Sequence, residues 1–325
     1  MHHAKPTNVS SKSQICIALA LITSFALASL FNGTQSQQSK GLSASHGRRL
    51  LLSTDDPSQS TTALRPGKPV MATFFESVSG GCCGMTEEGH RNLVKAWERA
   101  WQSYGWQTKI LTEADARKHP RFEELELKLV EADVNGYNQR CFWRWLAMSM
   151  ETNVNGGWMS DYDFFPLRLT SLIGKELAAL PGFKSYSVHV PTLLNGDYKS
   201  WNVITNLIID TISKDLEVDF LSDMYVLEYI YNHHTEEELG ITAWERLTYS
   251  GFPYKKDGDR ISVDCSGAMA NLGAHLSHHD THLAVDNGIF PKVEGVTMGD
   301  LGSSMNKRAE AANIMLRQFR EACFR

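Results

Sequence analysis

From residue 69 onward the chain alternates between two hydrophobic periods. Residues 70–76 (Val-Met-Ala-Thr-Phe-Phe-Glu), mostly apolar, and 106–111 (Trp-Gln-Thr-Lys-Ile-Leu), half apolar, are short runs of strand length. Between them, residues 86–104 carry Leu93, Val94, Trp97 and Trp101 at helical spacing. Strand, helix and strand joined by short links predict an α/β domain with parallel pairing at its front. Residues 137–150 predict a second, aromatic-rich amphipathic helix, residues 183–191 alternate as a strand, and residues 201–212 read as helix. Residues 307–324 predict an amphipathic terminal helix with no chemistry in it. Parallel sheets offer ligands the carboxyl ends of their strands, so residues 75–79, beginning with Phe75, form a candidate nucleotide-contacting edge.

The amino terminus follows other rules. Residues 15–31 are an uncharged apolar run preceded by Lys5 and Lys12. That length lies at the short end of a membrane span and the long end of a signal-peptide core. Residues 1–14 then form a cytosolic tail ahead of a signal anchor, or residues 1–28 are removed at Ala26-x-Ala28. Either outcome delivers the body to the secretory lumen. Residues 32–68, rich in Ser, Gln, Thr and Gly, bury too little apolar surface to fold and predict a disordered stem.

Composition narrows the function classes. With 325 residues and 42% hydrophobic content, the chain can bury one substantial core or two small ones. A net charge of −5 argues against a nucleic-acid partner, which calls for a basic surface. Five cysteines lie outside the apolar run: Cys82, Cys83, Cys141, Cys265 and Cys323. An odd number leaves at least one free, and sequence does not decide the pairing. No C-x-x-C spacing occurs, so Cys82-Cys83 reads as a turn holding one disulfide partner. Glycines 80, 81 and 84 lack the Lys-Ser/Thr of a phosphate loop.

The chemistry concentrates in Gly156-Gly157-Trp158-Met159-Ser160-Asp161-Tyr162-Asp163-Phe164-Phe165-Pro166. On an extended strand, residues i and i+2 share a side, so Asp161 and Asp163 are expected to emerge together. Buried carboxylates need a cation or donors, and a hard divalent metal that keeps sites for phosphate oxygens suits the pair. A second D-x-D, Asp257-Gly258-Asp259, sits among lysines and reads as a solvated turn.

Arg144-Trp145-Leu146-Ala147 followed by Gly156-Gly157-x-x-x-Asp161-x-Asp163 resembles the DXD-containing glycosyltransferase sugar-binding family. That family includes fungal initiation-specific mannosyltransferases and animal α-1,4-galactosyltransferases. Two departures stand out. The helix-start Asp of the family falls at Cys141, leaving Asn138 or Gln139 as replacements, and Trp158 or Met159 replaces its first tyrosine. The resemblance implies a GT-A-like, nucleotide-diphospho-sugar transferase fold: a Rossmann-like mixed sheet flanked by helices over residues 69–325. It also implies Mn²⁺ or Mg²⁺, retention at the anomeric carbon, and a Golgi or other secretory-pathway membrane location. The donor would be a nucleotide-diphospho-sugar and the acceptor a glycan, lipid or protein. The expected nucleotide-sugar contacts are Phe75, Arg144, Gly157 and Asp161.

Several residues keep two readings. Arg144 either binds diphosphate or braces Asp161, or else forms a surface ion pair with Asp133 or Glu131. Ser222-Asp223 is a helix cap, or Asp223 is a catalytic base at the acceptor site alongside Asp161 and Asp163. The run His275-Leu276-Ser277-His278-His279-Asp280-Thr281-His282 supplies His275 or His278 as a further metal ligand, or is a solvated loop. An H-x-x-H on a strand lacks the i,i+4 geometry of helical zinc sites. Two rival classes remain: a non-catalytic sugar-nucleotide or glycan-binding descendant, and a luminal metallohydrolase built on the histidines.

Overall fold

The buried central strands are short, and the alternation of their side chains divides the interior into two cores. The structure, a computed structural model, describes residues 67–77, 81–151, 157–212, 221–296 and 301–324. The strands are β1 (Val70–Phe74), β2 (Gln107–Leu111), β3 (Gly157–Ser160), β4 (Phe164–Pro166), β5 (Phe183–Ser185), β6 (Leu193–Gly196), β7 (Ile241–Trp244), β8 (Thr248–Ser250), β9 (Tyr254–Asp257), β10 (Arg260–Val263) and β11 (Gly273–His275). One sheet has the order β2-β1-β3-β6-β5-β7. Its β1, β2 and β3 run parallel, β6 is antiparallel to β3 and β5, and β7 is parallel to β5. The domain is therefore α/β with a mixed sheet flanked by helices.

Successive strand residues point to opposite faces. Met71, Trp158 and Leu193 enter one core, while Ala72, Met159 and Leu194 enter the other. The first core is covered by α1 (Glu87–Ser103), where Thr86 accepts the Gly89 amide at 3.1 Å as N-cap. The second is covered by α2 (Gly136–Glu151), α3 (Tyr198–Thr211) and α4 (Asp223–His233). Two later helices are α5 (His278–Asp286) and α6 (Arg308–Cys323). The stripe of α6 that packs on the first core is Ala311, Ala312, Met315, Leu316 and Phe319. Arg308 heads that same stripe and is only 3% exposed. Drawing a guanidinium out of water costs several kcal/mol, so it needs a partner inside.

A small sheet, β4-β11-β8, adjoins the first core. Its register sets Gly273 opposite Pro166, Ala274 opposite Phe165 and His275 opposite Phe164. A Cβ on Gly273 would stand 2.4 Å from the Phe164 ring and 2.6 Å from the Phe165 carbonyl. Only glycine allows β11 to approach β4 this closely, and the approach carries His275 to the end of β3.

Several sequence expectations change. The alternation in 183–191 gives a strand only over Phe183–Ser185, and Val188 adopts a left-handed φ of 56° where the chain turns. The histidine run is neither one strand nor a loop. β11 stops at His275, and Ser277 caps α5 by accepting the Asp280 amide at 3.0 Å, which places His278, His279 and His282 on a helix. Cys82 and Cys83 lie in a turn, yet neither is the disulfide partner. The bond joins Cys265 to Cys323 at the end of α6, whose Cα atoms lie 5.4 Å apart. Asp257 ends β9 and Asp259 lies in the exposed β9–β10 hairpin turn. The expected tail, the anchor or signal peptide, and the stem up to residue 66 fall outside the described residues. Among the described residues no helix is long and apolar enough to cross a membrane.

Candidate metal centre

The carboxylate pair converges by a different route from the one its spacing implies. β3 ends at Ser160, and Asp161-Tyr162-Asp163 is a turn rather than strand. The Phe164 amide closes it on the Asp161 carbonyl at 3.0 Å. The Asp161 amide donates to the Thr192 carbonyl at 3.0 Å, and the Leu276 amide donates to the Asp163 carbonyl at 2.9 Å. Both ends of the turn are thus tied to neighbouring segments, and turn curvature, not strand pleat, brings the side chains together.

His275 completes the group. Its Nε2 lies 3.3 Å from Asp163 Oδ1 and 3.9 Å from Asp161 Oδ2. One oxygen of each carboxylate and one imidazole nitrogen lie within 4.8 Å of one another. The remaining oxygens are held by guanidinium groups. Asp161 Oδ1 accepts from Arg144 Nη1, and Asp163 Oδ2 accepts from Arg308 Nη2 at 2.5 Å. Arg144 is itself fixed by Asp223, whose Oδ2 accepts from Nε at 2.9 Å, from Nη2 at 2.5 Å and from Trp145 Nε1 at 2.8 Å.

These environments push the two acids apart. Burial raises Asp161, over the opposing pull of Arg144, to a pKa of about 6. Burial acts on Asp163 too, but neighbouring His275 and the Arg308 guanidinium outweigh it and hold that carboxyl well below the usual range. Burial alone would lower His275; the Asp163 carboxylate overcomes it and raises the imidazole. The donor chemistry fits a hard or borderline cation. Two carboxylates suit Mg²⁺ and Mn²⁺, and the imidazole tilts the set toward Mn²⁺. With these three protein donors, a bound cation would keep coordination positions for oxygens of a second molecule.

The turn also has an aromatic floor. Tyr162 meets Phe75 edge-on with ring centroids 5.6 Å apart, and its hydroxyl lies 3.0 Å from Nδ1 of buried His90. Phe75 directly follows β1 and Asp161 directly follows β3, so both stand at the carboxyl edge of parallel strands.

Asp161, Asp163, His275, Arg144 and Asp223 therefore form one connected cluster, and Phe75 joins it through Tyr162. Arg144 makes no surface ion pair; its side chain is 11% exposed and engaged by two acids. Asp223 is 3% exposed with its carboxylate turned onto Arg144 and Trp145, which removes it from any acceptor-facing role as a base. Its neighbour Ser222 occupies the cap position without a side-chain capping bond. Gly157 lies at the opposite end of β3 from Asp161, roughly 10–13 Å away at strand rise, and its carbonyl accepts from Trp201 Nε1 at 3.2 Å. His278 is exposed on α5 and is not among the clustered ligands. Of the two replacements for the helix-start Asp, Asn138 is buried and Gln139 bonds the Val134 carbonyl at 2.9 Å.

Arg308 is the residue that sequence reasoning missed. It comes from the helix expected to carry no chemistry, 145 residues after its partner Asp163. A signal was available: a charged residue at the head of an otherwise apolar i, i+3, i+4, i+7 stripe is buried by its own helix and must find an acid.

Residues 63–172 match the family described as Domain of unknown function (DUF8765). The matched third of the chain includes Arg144, Asp161 and Asp163 but not Asp223, His275 or Arg308. No curated protein and no solved structure matches the chain.

Proposed function

We propose that this protein is a metal-dependent glycosyltransferase. It moves a sugar from a nucleotide-diphospho-sugar to a glycan, glycolipid or glycoprotein acceptor, on a GT-A-like fold held in the secretory pathway by its N-terminal segment. The observation that carries the reading is the meeting of Asp161, Asp163 and His275 at the carboxyl edge of parallel strands. Such edges are where open α/β sheets bind ligands.

In this reading Asp161 Oδ2, Asp163 Oδ1 and His275 Nε2 hold the cation. Mn²⁺ or Mg²⁺, when bound, supplies the positive charge that stabilises the departing diphosphate. Arg144 fixes the orientation of Asp161 and is fixed in turn by Asp223, so the ligand oxygen needs no reorganisation when the donor arrives. Phe75 and Tyr162 offer an aromatic surface beside the triad for the nucleotide.

The test is hydrolysis and transfer from a panel of UDP- and GDP-sugars with Mn²⁺ or EDTA, in wild type, His275→Ala and Asp161→Asn. Turnover should require the cation and fall at least 100-fold in both variants. Turnover that survives EDTA and both substitutions defeats the proposal. A non-catalytic descendant is the second reading, favoured by the guanidinium groups that already engage both carboxylates. Nucleotide binding without turnover on any donor would select it.

A further inference from the structure

The two carboxylates of the candidate site are each held by a guanidinium at one oxygen and face His275 with the other. Arg144 takes Asp161 Oδ1, and Arg308 takes Asp163 Oδ2. Arg144 has a second acid, Asp223, to balance it. Arg308 pairs with no other acid among the described residues. Its remaining contacts are the Leu276 carbonyl, through the same Nη2, and Met85 Sδ at 3.2 Å from Nη1. Its Nε is buried with no hydrogen-bond partner among the described residues. The positive charge of Arg308 is therefore spent entirely on Asp163.

That pairing has a consequence for cations. A histidine ligand usually donates its other ring N–H to an outer partner, which raises its basicity. Arg308 does the reverse: it donates to the ligand carboxylate and places a fixed positive charge beside the site. We infer that Arg308 is a positioning residue that presents Asp163 through Oδ1 alone and suppresses capture of a free divalent cation, so that the site fills with the cation and a diphosphate together. The inference rests on the proposed function for the identity of the diphosphate, but not for the effect of Arg308 on the cation alone. With the Asp163 charge cancelled by Arg308 and one of Asp161 and Asp223 by Arg144, a lone dication meets the attraction of a single remaining carboxylate charge. A diphosphate adds to that attraction by bringing its own negative charge.

The experiment titrates Mn²⁺, read by its EPR signal, into wild type, Arg308→Gln and Arg308→Met, each without nucleotide and with saturating UDP or GDP. Wild type should bind free Mn²⁺ weakly and gain at least tenfold with nucleotide. Both variants should bind free Mn²⁺ about tenfold or more tightly than wild type, and the gain from nucleotide should shrink; by linkage, the gain that Mn²⁺ gives nucleotide binding shrinks by the same amount. Repulsion between a guanidinium and a nearby dication, at an effective dielectric near 20, exceeds the roughly 10–100-fold that loss of an outer hydrogen bond costs. A purely structural Arg308 would give the opposite sign, with weaker Mn²⁺ in the variants, and that result overturns the inference. Should neither variant fold, wild type decides alone: tight free Mn²⁺ with no gain from a nucleotide that binds also overturns it. Failure of UDP and GDP to bind wild type at all, with or without Mn²⁺, would instead count against the transferase reading. In that case the variants' affinity for Mn²⁺ alone still decides the role of Arg308.

Discussion

Replacing Asp163 by Asn keeps the shape of the side chain and removes its charge, which isolates what the carboxylate does for Arg308. In the wild-type protein the Arg308 side chain is 3% exposed and lies 2.5 Å from Asp163. A unit charge pair about 4 Å apart is worth roughly 4 kcal/mol at an effective dielectric of 20. Removing one partner of a buried pair typically costs about 3–5 kcal/mol, because the other charge is stranded. Asp163→Asn should therefore lose about 3–5 kcal/mol, a large share of the roughly 5–15 kcal/mol that keeps a domain folded. Urea unfolding measures it as a lower midpoint at unchanged slope, and the melting temperature should drop by roughly 6–15 °C. The double variant Asp163→Asn with Arg308→Met strands no guanidinium and should recover at least about 2 kcal/mol relative to additivity. A midpoint within 0.5 kcal/mol of wild type, or additive losses, would refute a buried Asp163–Arg308 pair. This cost is also why His275 and Asp161 are better probes of activity than Asp163.

Other outcomes follow from the same geometry. His275→Ala should weaken Mn²⁺ binding in the presence of UDP or GDP at least tenfold while shifting the melting temperature by only a few degrees, since its side chain is 17% exposed and strands no cation; calorimetry reads both. In the metal-free protein, Asp161 and His275 are raised, so the folded state holds more protons than the unfolded state. The Asp161 contribution is full only below about pH 4 and is lost as pH rises through about 6, whereas that of His275 is full below about pH 6.5 and is lost as pH rises above it. Asp163 is lowered and acts oppositely, its contribution being lost only as pH falls below the ordinary carboxylate range. Because a cation must displace the protons on Asp161 and His275, the rise in melting temperature given by Mn²⁺ with UDP or GDP should be larger at pH 7.5 than at pH 5.5; equal shifts would contradict this. Cys323→Ser opens a loop of 58 residues and should cost about 2–4 kcal/mol in non-reducing urea titrations, with no change once wild type is reduced.

Much of the scaffold was legible in the residues. The helix over Glu87–Ser103, the aromatic helix over Gly136–Glu151 and the first two strands follow from local periodicity and from Thr86 as a cap, which are properties of neighbouring residues. The pair Asp161 and Asp163 stood out for the same reason, since its spacing and the apolar residues around it are short-range facts. Its geometry did not: the residues form a turn, and the pleat argument pointed to the right pair by the wrong route.

What the chain order could not disclose is which distant groups meet that turn. His275 arrives because Gly273 lets β11 pair with β4 in one register, whereas His278, three residues on, is carried away on a helix. Asp223 and Arg308 reach the cluster from helices 79 and 145 residues removed from their partners. Short-range sequence dictates propensity and the need of a buried charge for a counterpart. The counterpart itself is chosen by how helices and strands pack, because electrostatic partnership depends on separation in space and not along the chain.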